Sequence, residues 1–477
     1  MTSKSSFFSI RQSALPIAIS SLLLSASGTA SEYILNEGIT NFKEDGVSLP
    51  FEVLRGDIID HKTGKPFQIR NGGYGSAMTA HPSVANQFYA LTDRGPNAKY
   101  KTREFGKGKK FPTPDYTPRI GLFELQADGR VKQIKTILLR RPDGQKITGL
   151  PNSSGLGGTG ETPYNENGAP ILVNPNRTFD KNDNPVKLDD FGLDGEGLVA
   201  LRDGSFWVSD EYGPHMVHFS ADGREIERIN AFANDIRSKI KLPAEFAHRR
   251  PNRGMEGLAI TPDEQTLVGI MQSTMYLPNK KVKNQNITRI VTVNVKTGEI
   301  GQYLYAQEKP QNSNSEIVAI NNHEFLVIER DGKFIKGGSK GKPAPDAQKR
   351  VYRIDLSSGT NIEQITNDGA LVQDKNLGLT IDNKTLEQIT LEQGWDALYK
   401  YGIKPVSKSL VIDMVERVQY PHDKMEGLWL INNKKLGILN DDDFATWSSG
   451  GKLEAKMLDA NTIDSNRLYI VDVDLDK

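Results

Sequence analysis

Residues 194–211 read DGEGLVALRDGSFWVSDE, and this stretch decides the fold because the chain repeats it. An acidic turn leads into a short apolar strand, and the Asp-Gly pair at 203–204 predicts a hairpin turn. The second strand of this hairpin then ends in two carboxylates, Asp210 and Glu211. The opening of the stretch recurs three times, as GMEGLAI at 254–260, NSEIVAI at 314–320 and KMEGLWL at 424–430.

The glutamates of these copies are regularly spaced. Glu196 and Glu256 are 60 positions apart, and so are Glu256 and Glu316. Self-similarity at a fixed period is typical of repeat architectures. Each copy is followed by short runs of β-branched and aromatic residues bounded by Gly, Asp and Asn, which favours strands. We therefore predict an all-β protein, a β-propeller of about five to seven four-stranded blades.

Two segments depart from an even series of strands. The unit that begins at Glu426 shows only three strands, and we expect the segment near Phe51 to supply the fourth and close the ring. The unit that begins at Glu316 is predicted to end with a strand at 362–365. Within residues 383–400, apolar side chains fall at helical intervals, which predicts a short helical insertion packed on the propeller.

The glycine-rich run at 155–160 invites a nucleotide-binding interpretation. Pro163 follows it closely and no amphipathic helix does, so the helix N-terminus that would hold a pyrophosphate is missing. We interpret this run as a surface loop.

The bulk composition excludes several classes of protein. The chain has 477 residues, and its Lys and Arg residues number 60, as do its Asp and Glu residues. This balance gives no basis for a nucleic-acid partner. Cysteine is absent, which excludes disulfides and thiolate metal sites. We expect a monomer.

Residues 1–30 have the pattern of a secretory signal peptide. Lys4 and Arg11 precede an apolar run at 14–24, and small residues then lead to a cleavage site at Ala30. The apolar run is too short to span a bilayer, and no other stretch reaches that length. We expect an exported protein, periplasmic or secreted, in which residues 31–477 form a single propeller domain.

Each repeat places acidic or polar residues before its first strand and after its second. The first strand of a propeller blade lines the central channel, so equivalent positions converge around one axis. Converging carboxylates repel one another unless a cation intervenes. The donors are all oxygens and the chain has only seven histidines, so the set suits calcium better than zinc. The predicted metal ligands are Glu196, Asp210, Glu211, Glu256, Glu316, Glu329, Asp331, Glu426, Asp441 and Asp442.

Basic residues near these motifs indicate what the site binds. Arginine presents a planar fork that suits phosphate oxygens, and Arg94 and Arg330 each lie beside a repeat signature. A calcium site ringed by arginines is suited to hydrolysing a phosphate ester, so we expect a small phosphorylated substrate. The predicted catalytic residues are Glu196, Asp210, Glu211, Arg94 and Arg330. The alternative is that the arginines pair with the same carboxylates and that the glutamates cap backbone N–H groups.

These motifs resemble those of the family known as "esterase-like activity of phytase", an exported bacterial β-propeller group. The likeness spans roughly residues 70–475. It is carried by residues 194–198 with 207–213, by residues 255–258, and by residues 425–428 with 440–444. The resemblance implies a propeller and a calcium-dependent phosphoesterase. The chain departs from an even repeat, because Ser76 stands where other units have Glu, and Gln272 and Ser273 replace acids.

Three functional hypotheses follow from the sequence. The first is a metal-dependent hydrolase of phosphate esters, in which a metal-activated water attacks a phosphate held by arginines at the channel. The second is a non-catalytic, calcium-stabilised propeller that binds a ligand or a protein partner. The third is a carboxylic-ester or lactone hydrolase that uses the same calcium chemistry.

Overall fold

The computed structural model of the protein describes Met1 and residues 45–476. Within these residues, five four-stranded antiparallel sheets form the blades of a β-propeller. The first blade comprises Ala77–Ala80, Gln87–Leu91, Arg119–Leu125 and Val131–Leu138. The second comprises Gly195–Ala200, Phe206–Asp210, His215–Phe219 and Glu225–Ile229. The third comprises Met255–Ile260, Thr266–Met271, Ile287–Asn294 and Ile300–Ala306. The fourth comprises Ser313–Ala319, Glu324–Arg330, Lys349–Asp355 and Ser407–Asp413, and the fifth Gly427–Asn432, Lys435–Leu439, Arg467–Asp472 and Val47–Ser48.

The inner strands of the five blades form a closed ring, in which each contacts the inner strands of its two neighbours. The predicted all-β propeller is therefore confirmed, at the lower end of the predicted number of blades. Successive residues of a strand point to opposite faces, so each blade can contact both neighbours. Leu198 packs against the first blade and Val199 against the third.

Each of the five interfaces between blades contains its own buried apolar cluster. Trp207 and Met255 lie in the cluster between the second and third blades, and Phe88 and Trp429 in the one between the first and fifth. The remaining three interfaces are filled in the same way. The core is thus divided among five interfaces around the channel, and this leaves the channel itself to polar side chains.

The ring closes through a strand from the N-terminal part of the domain. Val47–Ser48 pairs antiparallel with Arg467 and Leu468, and so completes the fifth blade. We had expected such a strand near Phe51, and the structure places it slightly earlier. This pairing ties the segment that precedes the first blade to the fifth blade, so the chain itself joins the first and last blades.

The outer strand of the fourth blade differs from the predicted one. Ile362–Gln364 is a 3-10 helix, and Ser407–Asp413 supplies the fourth strand instead. The physical reason is local capping, because the Asn361 side chain accepts a hydrogen bond from the backbone N–H of Glu363. Between these two segments the chain makes a separate insertion, with strands Leu371–Asp374, Gly378–Ile381 and Lys384–Thr385 and helices Leu386–Gln393 and Trp395–Tyr399.

The predicted helical insertion near 383–400 is confirmed. Thr385 caps its first helix in a reciprocal pair with Gln388, which satisfies backbone N–H groups at the helix start. Leu386 and Leu398 pack with Ile287 and Leu304, so the insertion lies on the outer part of the third blade.

Additional strands lie in the segments that connect the blade strands, at the end of the propeller where the inner strands begin. They pack around a small apolar cluster that includes Ile58, Phe67, Tyr116, Phe444 and Leu453, which we call the cap cluster. These strands are Val53–Ile59, Pro66–Arg70, Ala98–Thr102, Gly106–Lys110, Thr162–Tyr164, Thr446–Ser449 and Lys452–Ala455. The other short helices are Ser154–Leu156, Ala244–His248, Lys280–Val282, Gly338–Lys340, Leu356–Ser358, Met414–Val418 and Asp443–Ala445.

Two expectations concern export and membrane insertion. The predicted signal peptide lies outside the described residues. Within the part of the chain that is described, no helix is long and apolar enough to cross a membrane.

Candidate functional site

The inner strands of the second, third and fourth blades each begin with a β-bulge. The pairing register shifts between Gly195 and Gly197 in the second blade and between Met255 and Gly257 in the third, which leaves Glu196 and Glu256 as the extra residues. A bulge re-aims the side chain of the extra residue. In both blades the glycine that follows the glutamate pairs again with the next strand.

In the fourth blade the bulge falls one residue earlier than the spacing of the motif predicts. The register shifts between Asn314 and Glu316, so Ser315 takes the position of Glu196. Glu316 takes the position of Gly197. The regular interval between Glu256 and Glu316 therefore does not correspond to structural equivalence.

Applying the same register to all five blades defines a ring of residues at the channel mouth. In the first blade Ala77 pairs with Leu91, and in the fifth Gly427 pairs with Leu439. The mouth ring combines the residue before each of these inner-strand positions with the residue two places after its partner on the second strand. It consists of Ser76, Glu196, Glu256, Ser315 and Glu426, with Asp93, Glu211, Gln272, Arg330 and Asp441.

Contacts between neighbouring blades link the members of the mouth ring. Arg330 of the fourth blade forms an ion pair with Glu426 of the fifth, and its Nε donates to Ser315 Oγ at 3.0 Å. Gln272 of the third blade donates to Glu256 and, at 3.4 Å, to Glu211 Oε1 of the second. These contacts, with Arg330 Nη2 at 4.0 Å from Glu256 Oε1, form a polar network across the second to fifth blades.

Two further cations enter this network from loops. Arg94 forms an ion pair with Asp194, and its Nη2 also lies 2.9 Å from Glu211 Oε2. Lys424 Nζ lies 2.5 Å from Asp441 Oδ2. Both predicted phosphate-binding arginines, Arg94 and Arg330, are thus already paired with carboxylates.

Glu196 is the exception in this network. Its carboxylate has neither a hydrogen bond nor an ion pair among the described residues, although Glu196 is only 7% exposed. One carboxylate oxygen from each of Asp93, Asp194 and Glu196 lies within 4.8 Å of the others. Burial raises the pKa of Glu196 well above its usual range, and the charges of Glu256 and Asp194 raise it further.

The sequence of this same region also identifies the family of the chain. The Phytase-like family, described as "Esterase-like activity of phytase", matches residues 69–444, which include the whole mouth ring. The chain belongs to this family. Membership is consistent with a hydrolase.

Relatives of this phytase-like chain are distant. An "Uncharacterized secreted protein" of Arthroderma benhamiae is 28% identical over 285 residues, which is 50% of this chain and 52% of that protein. The chain thus spans about half the length of this curated relative.

Two solved structures align over most of the chain at low similarity. An aldose sugar dehydrogenase from Streptomyces coelicolor, solved with PQQ bound, has a TM-score of 0.26 at 10% identity, covering 89% of this chain and 98% of that one. A gluconolactonase from Xanthomonas campestris has a TM-score of 0.26 at 10% identity, covering 81% and 89%. Similarity at this level carries no argument about the activity of the phytase-like chain.

Carboxylates outnumber cations at the mouth of this phytase-like propeller. Burial and then the nearby charge of Glu426 raise the pKa of Glu256 to about 8, against the opposing charge of Arg330. Burial also raises the pKa of Asp441 to about 7, against the opposing effect of Lys424. The pKa values of Asp93 and Glu211 are raised well above normal by burial first and by neighbouring carboxylates second. Protonation or a bound cation would relieve this repulsion.

The residues present fit a hard divalent cation. All nearby donors are oxygens, as calcium prefers. Besides the partnerless Glu196, the buried Glu256 Oε2 and Ser76 Oγ atoms have no hydrogen-bond partner among the described residues. Buried polar oxygens without partners are costly, and metal coordination is one way to satisfy them.

Several predicted metal ligands have protein partners of their own. Asp210 accepts hydrogen bonds from the backbone of Asp194 at 2.9 Å and lies 2.8 Å from His215 Nδ1, so it serves the interior of its own blade. Glu329 accepts from Tyr305 Oη at 2.8 Å and from Lys408 Nζ at 3.0 Å.

Asp331, Asp442 and Glu316 are likewise held by local partners. Asp331 pairs with Lys349 at 2.6 Å, and Asp442 accepts the backbone N–H of Phe444 at 3.0 Å. Glu316 accepts the backbone N–H groups of Ile317 at 3.0 Å and Leu258 at 3.4 Å. Burial raises the pKa of Glu316 well above its usual range, against these backbone hydrogen bonds and one from Met78.

The prediction did not include several residues that the fold brings to the mouth, among them Asp194, Asp93 and Ser76. Asp194 stands in the motif itself, two residues before Glu196, and Asp93 follows the second strand of the first blade. Ser76 occupies the position of Glu196 in that blade. Asp93 could have been predicted from its position, because it follows the second strand of its blade as Glu211 does.

Proposed function

We propose that the chain is an exported, metal-dependent hydrolase of phosphate esters whose active site is the mouth ring. The observation that carries the proposal is the carboxylate of Glu196. It is almost fully buried, lacks any partner among the described residues and faces the oxygens of Asp93 and Asp194. An unpaired buried carboxylate costs several kilocalories per mole unless it is protonated or bound to a cation.

Asp93, Asp194 and Glu196 are the residues that would hold the cation, with Glu256 and Ser76 beside them. Glu211, Glu426 and Asp441 belong to the same ring and were predicted as ligands from the sequence. Asp210, Glu316, Glu329, Asp331 and Asp442 have protein partners of their own, so the proposal does not rest on them. The oxygen donor set favours calcium.

A bound calcium ion would neutralise charge on the phosphate and lower the pKa of a water molecule. The protein itself positions the groups that would contact the phosphate. Glu211 and Asp194 hold the guanidinium of Arg94, and Glu426 holds that of Arg330, so both planar forks are fixed at the mouth. The Nε atom of Arg94 is buried and has no hydrogen-bond partner within the described part of the chain. We propose that these arginines contact the phosphate oxygens.

Export is part of the proposal. The pattern of residues 1–30 supports it, and so does the relative from Arthroderma benhamiae, which is described as a secreted protein. Calcium is abundant outside the cytosol, and extracellular proteins bind it with weaker sites than cytosolic buffers do.

A non-catalytic, calcium-stabilised propeller is the second candidate. The observation in its favour is burial, because Glu256 and Glu426 of the ring are only 1% and 2% exposed. A cation in such a place would serve the stability of the fold. A carboxylic-ester or lactone hydrolase would use the same residues.

The deciding experiment uses the purified protein lacking residues 1–30. Hydrolysis of p-nitrophenyl phosphate, its bis-ester, phytate, p-nitrophenyl acetate and a lactone is measured with calcium and with a chelator. We expect calcium-dependent turnover of a phosphate ester, and its loss in Glu196→Gln. Turnover of the carboxylic ester or the lactone alone would favour the third hypothesis. Calcium-dependent stability without turnover would favour the second.

A further inference from the structure

The loop that leads into the third blade carries an unusual set of charges. Residues 249–253 read RRPNR, with three guanidiniums and no acid. The loop ends just before the inner strand Met255–Ile260, so it lies at the channel mouth. Asn252 of this loop accepts a hydrogen bond from Arg94 Nη1 at 3.0 Å, which ties the loop to the mouth ring.

Arg249 has a structural role. It is buried, and its Nε donates to the backbone oxygen of Tyr212 at 2.7 Å. A further hydrogen bond joins its guanidinium to the backbone oxygen of Gly157. Its N–H groups are therefore used to hold two loops together.

Arg250 and Arg253 differ from the other arginines at the mouth. Arg250 Nη1 donates to Gln311 Oε1 at 3.1 Å, and Arg253 Nη1 lies 3.4 Å from Ser313 Oγ. Both partners are neutral. Among the described residues, neither guanidinium has a carboxylate oxygen within the 4.0 Å of an ion pair, whereas Arg94 and Arg330 do.

Arg253 is also held where its charge is unfavourable. Burial lowers the pKa of Arg253, and the charges of Arg250 and then Arg330 lower it further, while Glu256 and Glu211 oppose this. The guanidinium carbon of Arg250 lies 5.9 Å from the centre of the Tyr276 ring. Neighbouring cations without counter-charges repel each other, and a bound anion removes that repulsion.

We infer that Arg250 and Arg253 form a binding site for a tetrahedral oxyanion on the rim of the mouth ring, between the third and fourth blades. Two guanidiniums offer several N–H donors in planar forks, which match phosphoryl oxygens. The neutral partners Gln311 and Ser313 orient these side chains without satisfying their charge. The further assignment, that the anion is the phosphoryl group of the substrate, rests on the proposed function.

Phosphate binding to the metal-free protein tests the inference directly. Titration calorimetry at low ionic strength would measure the Kd of inorganic phosphate for the wild type, Arg250→Gln, Arg253→Gln and the double variant. Arg202→Gln is the matched control, because Arg202 is an exposed arginine in the turn at the other end of the second blade. We expect each single variant to weaken binding by about tenfold, since hydrogen bonds to charged groups are worth that much.

Arg253→Lys keeps the charge but removes the fork, and we expect it to bind more weakly than the wild type and more tightly than Arg253→Gln. Melting temperatures of all variants identify any that fail to fold, in which case Arg250→Gln and Arg253→Lys still provide the test. Equal phosphate affinity in the wild type and the double variant would overturn the inference. So would a wild type that binds no phosphate.

Activity separates this inference from the proposed function. A wild type that binds phosphate through these arginines but hydrolyses no ester would retain the anion site and overturn the hydrolase. A calcium-dependent phosphoesterase whose double variant binds phosphate normally would retain the hydrolase and overturn the anion site. If both hold, we expect the double variant to raise KM for p-nitrophenyl phosphate.

Discussion

Arg330 of the fourth blade forms a buried ion pair with Glu426 of the fifth, and this contact joins two blades at the mouth of the channel. Removing one member of a buried pair leaves an uncompensated charge. We expect Arg330→Met to lower the free energy of unfolding by about 3–5 kcal/mol in urea titrations. The double variant Arg330→Met, Glu426→Gln should recover part of that loss. Purely additive effects would contradict the pairing.

Calcium dependence of stability should depend on Glu196. A ligand that binds only the folded state stabilises it, by about 2.7 kcal/mol at one hundred times its Kd. We expect calcium to raise the Tm of the wild type and to leave that of Glu196→Gln unchanged. Glu329→Gln is the comparison, because Glu329 is held by Tyr305 and Lys408. It should lower the Tm equally with and without calcium.

The β-bulge in the fourth blade leads to a different expectation for Glu316. This residue takes the position of Gly197 and accepts backbone N–H groups, so it does not share the position of Glu196. Because burial already favours its neutral form, Glu316→Gln should change stability by less than about 1 kcal/mol. Its calcium-dependent rise in Tm should match that of the wild type. Loss of the calcium response would show that Glu316 is a ligand.

The metal-free protein should lose stability as the pH rises. The folded-state pKa of Glu256 is raised to about 8 from 4.5, and that of Asp441 to about 7 from 3.8. Between the unfolded-state and folded-state pKa values of these two groups, the folded state binds more protons than the unfolded state, so the free energy of unfolding falls with increasing pH. Urea titrations between about pH 4.5 and 8 should show this fall without metal. Constant or rising stability would contradict it.

Calcium supplies the control for that experiment. A bound cation favours the charged carboxylates, so the fall in stability between these pH values should shrink or reverse at saturating calcium. An identical fall with and without calcium would place the titrating groups outside the cation site.

Gly197 is required because of how closely two blades approach. A Cβ atom at this position would lie 2.5 Å from the backbone nitrogen of Leu258 in the third blade. We expect Gly197→Ala to destabilise the protein by about 1–3 kcal/mol or more in urea titrations, as overpacking does. Gly155→Ala is the control, because nothing lies within 4 Å of its added Cβ. Equal stability of the two variants would contradict the close contact.

Local patterns were sufficient for much of the fold. Runs of β-branched and aromatic residues bounded by Gly, Asp and Asn predicted the strands of the second and third blades, and helical spacing near Leu386 predicted the insertion. The outer strand of the fourth blade was missed because it follows that insertion, far from the strands with which it pairs. Ile362 was taken for a strand residue because its β-branched neighbours outweighed the capping Asn361, whose effect depends on a single side-chain hydrogen bond.

The candidate site was predictable as a region and not as a set of ligands. Repetition of the motif was enough to bring Glu196, Glu256 and Glu426 to one end of a common channel. Which acids face the channel depends on the bulges, since a shift of one residue moves a side chain to another direction. For this reason Glu316 was assigned to the wrong structural position, and Asp93 was left out of the set.

The amino-acid sequence by itself therefore determined a propeller with an acidic mouth, because period and composition are local properties that repeat along the chain. Only the tertiary structure decided the charge pairs. Arg94 meets Asp194 and Arg330 meets Glu426 across segments about a hundred residues apart in sequence, where no local pattern reports the contact. Among residues 45–476, the same packing leaves Glu196, Arg250 and Arg253 without partners of opposite charge, and these are the groups on which both proposals rest.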